Sequence, residues 1–168
     1  GTGEWCILES DESDGSFLNI PITYSIVTNI DNEHLDFYKS INNLKKNFIK
    51  FIDKTPSFGK SLICNDDKAN QSVIKSISSK NYLTYGVQKK SNFKIEKIKQ
   101  NKKFSKFNIS IELPGKRNDI LKNVQIPNFG IHNIRNATAA AGVAYLIGVS
   151  SKQIKDGLRK FQGVQRRF

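Results

Sequence analysis

Between Leu8 and Phe17, in the stretch LESDESDGSF, four carboxylates fall within six positions: Glu9, Asp11, Glu12 and Asp14. Clustered oxygen ligands suit a hard divalent cation such as Mg2+. That ion takes one or two carboxylates and leaves its remaining positions to water and substrate phosphates. A solvated acidic loop is the other reading of the same residues. His34 stands between Glu33 and Asp36 in NIDNEHLDFY, as a metal ligand, a proton carrier or a surface residue. The chain has 2 histidines, so neither a three-His zinc site nor an H-E-x-x-H motif can be built. The second histidine, His132, lies with Asn133 and Asn136 in FGIHNIRNATAAA, just before or in the first turn of an Ala-rich helix. An asparagine amide offers donor and acceptor together, so paired amides can read the edge of an adenine ring. Asn136 can equally serve as a helix cap. The final GVQRRF carries Arg166 and Arg167, which suit phosphate or carboxylate binding, or form a basic tail.

One apparent motif is discarded. FGKS, 58–61, looks like the end of a phosphate-binding P-loop, but the pattern requires Gly where Lys54 stands. A P-loop also follows a strand and opens a helix, whereas this segment precedes a strand.

The elements that must position these groups follow from hydrophobic spacing. WCILE, 5–9, and ITYSIVTNI, 22–30, read as buried strands separated by about the dozen residues that a parallel crossover needs. Ile41, Leu44, Phe48, Phe51 and Ile52 form one apolar stripe of a helix near 38–53, ended by Pro56 and Gly59. SLIC, 61–64, is a third strand. NDDKANQSVIKSIS follows as a short helix with Asp66 or Asp67 near its start, and NYLTYGV, 81–87, is a fourth strand. From Phe93 to Val124 the residues alternate between polar turns, the pattern of an antiparallel hairpin or meander. ATAAAGVAYLIG predicts a helix with Gly148 at its C-terminal end, and Ser150 to Gln153 a capping box for a last helix through Phe161. Strands alternating with helices predict an α/β fold: a mainly parallel sheet flanked by helices, with a small antiparallel β element. Ligands of such sheets sit at the carboxyl ends of the strands. Glu9 would close the first strand and Asn29 the second, with His34 just beyond.

Bulk composition narrows the function classes. At 168 residues with 38% hydrophobic content, the chain fits a single globular domain. No apolar run approaches the length of a membrane span. Cys6 and Cys64 are too few for a disulfide framework and read as buried thiols in a reducing cytoplasm. The net charge of +12 is unevenly placed: residues 1–36 hold eight acids and no Lys or Arg. The lysines elsewhere are scattered rather than interleaved with aromatics, and no stacking motif of an RNA-recognition domain is present. A basic nucleic-acid-binding module therefore stays as an alternative only, and neither nucleic acid nor a membrane is expected as a partner.

Taken in order, LESDESDGSF, IVTNIDNEHLDFY, FGKSLICNDD, GIHNIRNATAAAGVAYLIGVS and FQGVQRRF resemble the Mur ligases, and the DESD and HLDFY stretches together resemble the alanine-adding branch. The resemblance runs from the first residues to the last. It implies an ATP-dependent carboxylate–amine ligase of peptidoglycan biosynthesis with the P-loop-NTPase-like fold of the family's central domain. In that branch L-alanine is joined to UDP-N-acetylmuramate through an acyl phosphate, with ATP and Mg2+. The other family readings are a murein-tripeptide ligase or a folylpolyglutamate synthase.

The resemblance assigns the metal to Glu9 and His34, with Glu12 as the alternative acid, and gives His34 and Arg167 catalytic roles. It places His132, Asn133 and Asn136 against adenine, Arg167 or Arg166 near the ATP phosphates, and Ser10, Ser13 and Asn29 toward the sugar-nucleotide. It further implies that residues 1–168 cover a central ATP-binding domain truncated before the N-terminal P-loop, without the UDP-binding and C-terminal domains. Such a chain is expected to be inactive alone and to self-associate through an apolar edge.

Overall fold

The computed structural model describes residues 3–161, which form one six-stranded sheet with helices on both faces. The strands are β1 (Tyr24–Val27), β2 (Lys60–Cys64), β3 (Tyr82–Gly86), β4 (Phe93–Gln100), β5 (Ser105–Ile111) and β6 (Asp119–Ile126), and they lie side by side in chain order. β1 to β4 pair in parallel, while β4–β5 and β5–β6 are antiparallel. The helices are α1 (Leu35–Tyr38), α2 (Ile41–Asp53), α3 (Lys68–Ile74), α4 (Ile131–Leu146) and α5 (Ser151–Lys160). The α/β class and the antiparallel meander thus stand as the sequence implied them.

Two apolar clusters sandwich the sheet. β2 shows why its sequence is a continuous apolar run: Leu62 belongs to the cluster that also holds α4 and α5 residues, and its neighbour Ile63 to the one holding α2 residues. Alternate side chains of a strand leave opposite faces, so a strand covered on both sides must be apolar at every position. β5 keeps one face inward, with Ser105, Phe107, Ile109 and Ile111 buried. The Ala-rich composition of α4 has a packing reason. A Cβ at Gly142 would lie 2.6 Å from Leu62 Cδ2, so the helix rides closer to the sheet than larger residues allow.

The caps follow the sequence closely. Asp67 accepts the Asn70 amide at the start of α3, and Ser150 with Gln153 forms a reciprocal capping box on α5. Gly148, at φ +85, ends α4 in the left-handed conformation.

Three expectations are corrected. WCILE is not a strand: residues 5–9 are exposed and form no ladder, and Trp5 packs on the Tyr24 ring at a centroid distance of 5.7 Å. A short apolar run becomes a strand only where a partner ladder exists, and β1 pairs with β2 alone among the described residues. Cys6, on that segment, is consequently exposed, whereas Cys64 is buried as expected and burial raises its thiol pKa. Asn136 is no helix cap, because α4 already begins at Ile131.

Candidate active site

The carboxyl ends of β1, β2 and β3 share one edge of the sheet, and two groups of polar side chains gather there. The first is built from the acidic loop and the segment after β1. Asp11 accepts the Ser13 amide at 2.7 Å and Asp14 the Ser16 amide at 2.8 Å, so these two carboxylates serve their own turns. Both acids are held below the usual carboxylate range, chiefly by the Ser13 backbone donor for Asp11 and the Ser16 side chain for Asp14. Glu12 is directed elsewhere. Its carboxylate lies 3.8 Å from His34 Nε2, and Glu33 approaches the same nitrogen at 3.9 Å.

The local fold makes that approach possible. His34 precedes α1 in the left-handed region, at φ 57. The buried Tyr38 hydroxyl, at the other end of α1, donates to the Glu12 carbonyl and ties the acidic loop to the helix. Burial and the nearby Glu12 charge push the Tyr38 phenol pKa up, so it is a hydroxyl donor throughout the physiological range.

Glu9 and Ser10 are exposed on the extended segment, and Glu9 is not among the ion-pair partners of His34. Ser13 lies in the acidic turn, and Asn29, two residues past β1, donates to Asp31 at 2.5 Å. Arg166 and Arg167 lie outside the described residues.

The second group surrounds the start of α4. His132 and Asn136 are exposed and Asn133 is half-buried, its amide donating to the Phe129 carbonyl at 2.8 Å. Gly130, at φ +103, leaves room that a Cβ would take from the His132 imidazole, 2.8 Å away. Beneath them lies a contact with no single sequence signature. The Asp66 side chain is 2% exposed and accepts Arg135 Nε at 2.7 Å. It also accepts the backbone amides of Val87, at 3.0 and 3.1 Å, and of Gln88, at 3.2 Å. One clue was available: two adjacent acids precede α3, and a helix needs only one cap, so one was left for other work.

FGKS leads into β2 rather than opening a helix. A Cβ at Gly59 would lie 1.9 Å from the Thr23 carbonyl, so the glycine is there for a close chain crossing at the entry to β2.

Residues 3–144 match the family model of the Mur ligase middle domain. This chain belongs to the Mur ligase family. It is 58% identical, along its whole length, to the UDP-N-acetylmuramate–L-alanine ligase of Pelagibacter ubique, and 38% identical to that of Bartonella quintana. The chain spans 36% of the length of these curated relatives. Among solved structures, the fold superposes on MurC, the UDP-N-acetylmuramate–alanine ligase of Thermotoga maritima, with a TM-score of 0.73 at 24% identity, covering 94% of this chain and 33% of that one. MurF from Acinetobacter baumannii gives 0.70 at 20% identity, covering 91% and 32%. At such identities the likeness shows the fold.

Glu12 and His34, 3.8 Å apart, are side chains that could lend ligands to a divalent cation such as Mg2+. Glu12, Glu33 and His34 offer two carboxylates and an imidazole at the strand end. Among the described residues no three such side chains close into a metal cage. No described helix is long and apolar enough to cross a membrane.

Proposed function

We propose that the chain is the ATP-handling middle domain of a ligase that joins L-alanine to UDP-N-acetylmuramate in peptidoglycan synthesis. The observation that carries this is the 58% identity over all 168 residues to a ligase of that name. The chemistry is phosphoryl transfer to the muramate carboxylate followed by attack of the alanine amine on the acyl phosphate. It needs reactants held in line and negative charge neutralised.

Glu12 and His34, joined by Glu9 from the neighbouring segment, would hold Mg2+ at the carboxyl end of β1. When bound, the ion neutralises charge on the phosphates. The Tyr38 hydrogen bond to the Glu12 carbonyl ties the loop that carries Glu12 to α1. Ser10, Ser13 and Asn29 border the same edge and would face the sugar-nucleotide, while His132, Asn133 and Asn136 would receive the adenine. Arg167 or Arg166 is assigned to the ATP phosphates by family pattern. No G-x-x-x-x-G-K-[ST] phosphate loop occurs among the 168 residues. Exposed Trp5, Ile7 and Leu8 beside edge strand β1 support association of the chain on its own through that edge.

The test is a domain exchange. Residues 3–161 replace the matching part of the Pelagibacter ubique ligase, and ADP release is followed with UDP-N-acetylmuramate and single amino acids. The expected result is Mg2+-dependent ADP release with L-alanine, and little with D-glutamate or L-glutamate. Turnover that prefers another amino acid or acceptor, or a folded chimera without turnover, overturns the assignment.

A further inference from the structure

The contact between Asp66 and Arg135 joins three segments that are remote in sequence. Asp66 belongs to the turn after β2, Val87 and Gln88 to the β3–β4 connection, and Arg135 to α4. The β3–β4 connection runs between two parallel strands that pair only at Tyr85↔Phe93 and Gly86↔Lys94. Such a link is shorter than an ordinary parallel crossover, so its backbone donors have no ladder to join. Asp66 takes two of them. Asn92 secures the other end: its side-chain oxygen accepts the Thr84 amide at 2.9 Å, and its NH2 donates to the Glu112 carbonyl at 2.9 Å.

Gly86 keeps the site open. At φ +144 it adopts a backbone that side-chain-bearing residues avoid, and a Cβ there would lie 2.5 Å from Asp66 Oδ1. Arg135 completes the arrangement from above. It lies between Asn133 and Asn136 in sequence, and Gly130, the N-cap residue of α4, offers no side-chain cap to orient the start of the helix. The charge-assisted bond from Arg135, the fifth residue of α4, to a nearly buried carboxylate ties the start of the helix to the strand ends.

We propose that Asp66 and Arg135 are positioning residues: their clasp sets the height and rotation of the first two turns of α4, and so the distance of Asn133 and Asn136 from a bound purine. The proposal rests on the adenine reading of those turns. It adds a determinant of nucleotide affinity that touches neither base nor phosphate.

The experiment uses the domain-exchanged ligase with Arg135→Gln, Arg135→Lys and Asp66→Asn. Equilibrium binding of ADP and of inorganic pyrophosphate is measured beside KM for ATP, kcat and thermal melting. Arg135 is 31% exposed at its side chain, so Arg135→Gln keeps the test alive should Asp66→Asn fail to fold. The clasp predicts ADP binding weaker by roughly tenfold in Arg135→Gln, the order of one charged hydrogen bond. Pyrophosphate binding should hold, KM for ATP should rise more than kcat falls, and Arg135→Lys should recover part of the loss. ADP binding unchanged in a folded Arg135→Gln protein overturns the clasp. So does equal weakening of ADP and pyrophosphate, which marks a general structural defect. Unaltered ADP binding in Asn133→Ala and Asn136→Ala removes the adenine reading, and the clasp with it.

Discussion

The two polar groups at the sheet edge are built to different standards. Glu12 and His34 are 38% and 36% exposed at their side chains and 3.8 Å apart, and their loop is tied to α1 by the Tyr38 hydroxyl on the Glu12 carbonyl. Asp66 is 2% exposed and bonded to a guanidinium and two backbone amides. An exposed pair is screened and contributes little to stability, so it is free to exchange its partner for a ligand. A buried carboxylate must keep all its donors, because each one lost leaves a charge in a poorly solvated place. The contrast separates an exposed pair, which the proposed function would fill with a ligand, from a buried joint whose donors are all engaged.

Breaking the joint should have the largest effect. Asp66→Ala removes the partner of Arg135 and strands the Val87 and Gln88 amides, and should destabilise the fold by about 3 kcal/mol in urea titration. A loss below about 1 kcal/mol would make the joint no stronger than the open site. Gly86→Ala attacks the same place by sterics. It should cost about 2 kcal/mol through the unfavourable φ and the overlap with Asp66, read from the same titration.

On the open side, Tyr38→Phe should cost about 1 kcal/mol, since one hydroxyl bond is lost and the ring stays packed. It should also broaden the Glu12 and His34 NMR signals as the loop loosens; unchanged linewidths would show that the loop is fixed by something else. Glu12→Gln should change stability by less than about 0.5 kcal/mol, as expected of an exposed pair, while weakening Mn2+ binding measured by paramagnetic relaxation.

The smallest effect concerns pH. Asp11 and Asp14 have lowered pKa values in the folded protein, so the stabilisation of their turns is present above their ordinary value of 3.8. It is lost as pH falls through the lower, folded values. The Ser13 and Ser16 amide shifts should hold steady above pH 3.8 and move only in more acid solution. Movement centred at or above that value would mean the carboxylates are not bonded to those amides.

These predictions also divide the molecule by how well its sequence could be read. The apolar stripe of α2, the alternation in β5 and the Ser150–Gln153 capping box are local patterns, and each appeared where spacing implied it. WCILE failed because a strand is a pairing, and composition says nothing about whether a neighbour is present. Asn136 was misplaced because Gly130 and Ile131 give no conventional cap signal, yet α4 begins there.

By itself the sequence determined that the protein is an α/β domain, that its acids gather before the first described strand, and that it resembles a ligase family. Those properties reside in residue type and short-range spacing. Only the tertiary structure decided which acid meets His34 and what Asp66 binds. Asp11 and Glu12 are adjacent and chemically alike; the Ser13 amide claims one and the Tyr38 anchor turns the other toward the histidine. Asp66 and Arg135 stand 69 residues apart. No periodic pattern spans that separation, and the contact exists because packing α4 onto β2 and β3 brings both ends of it to one edge.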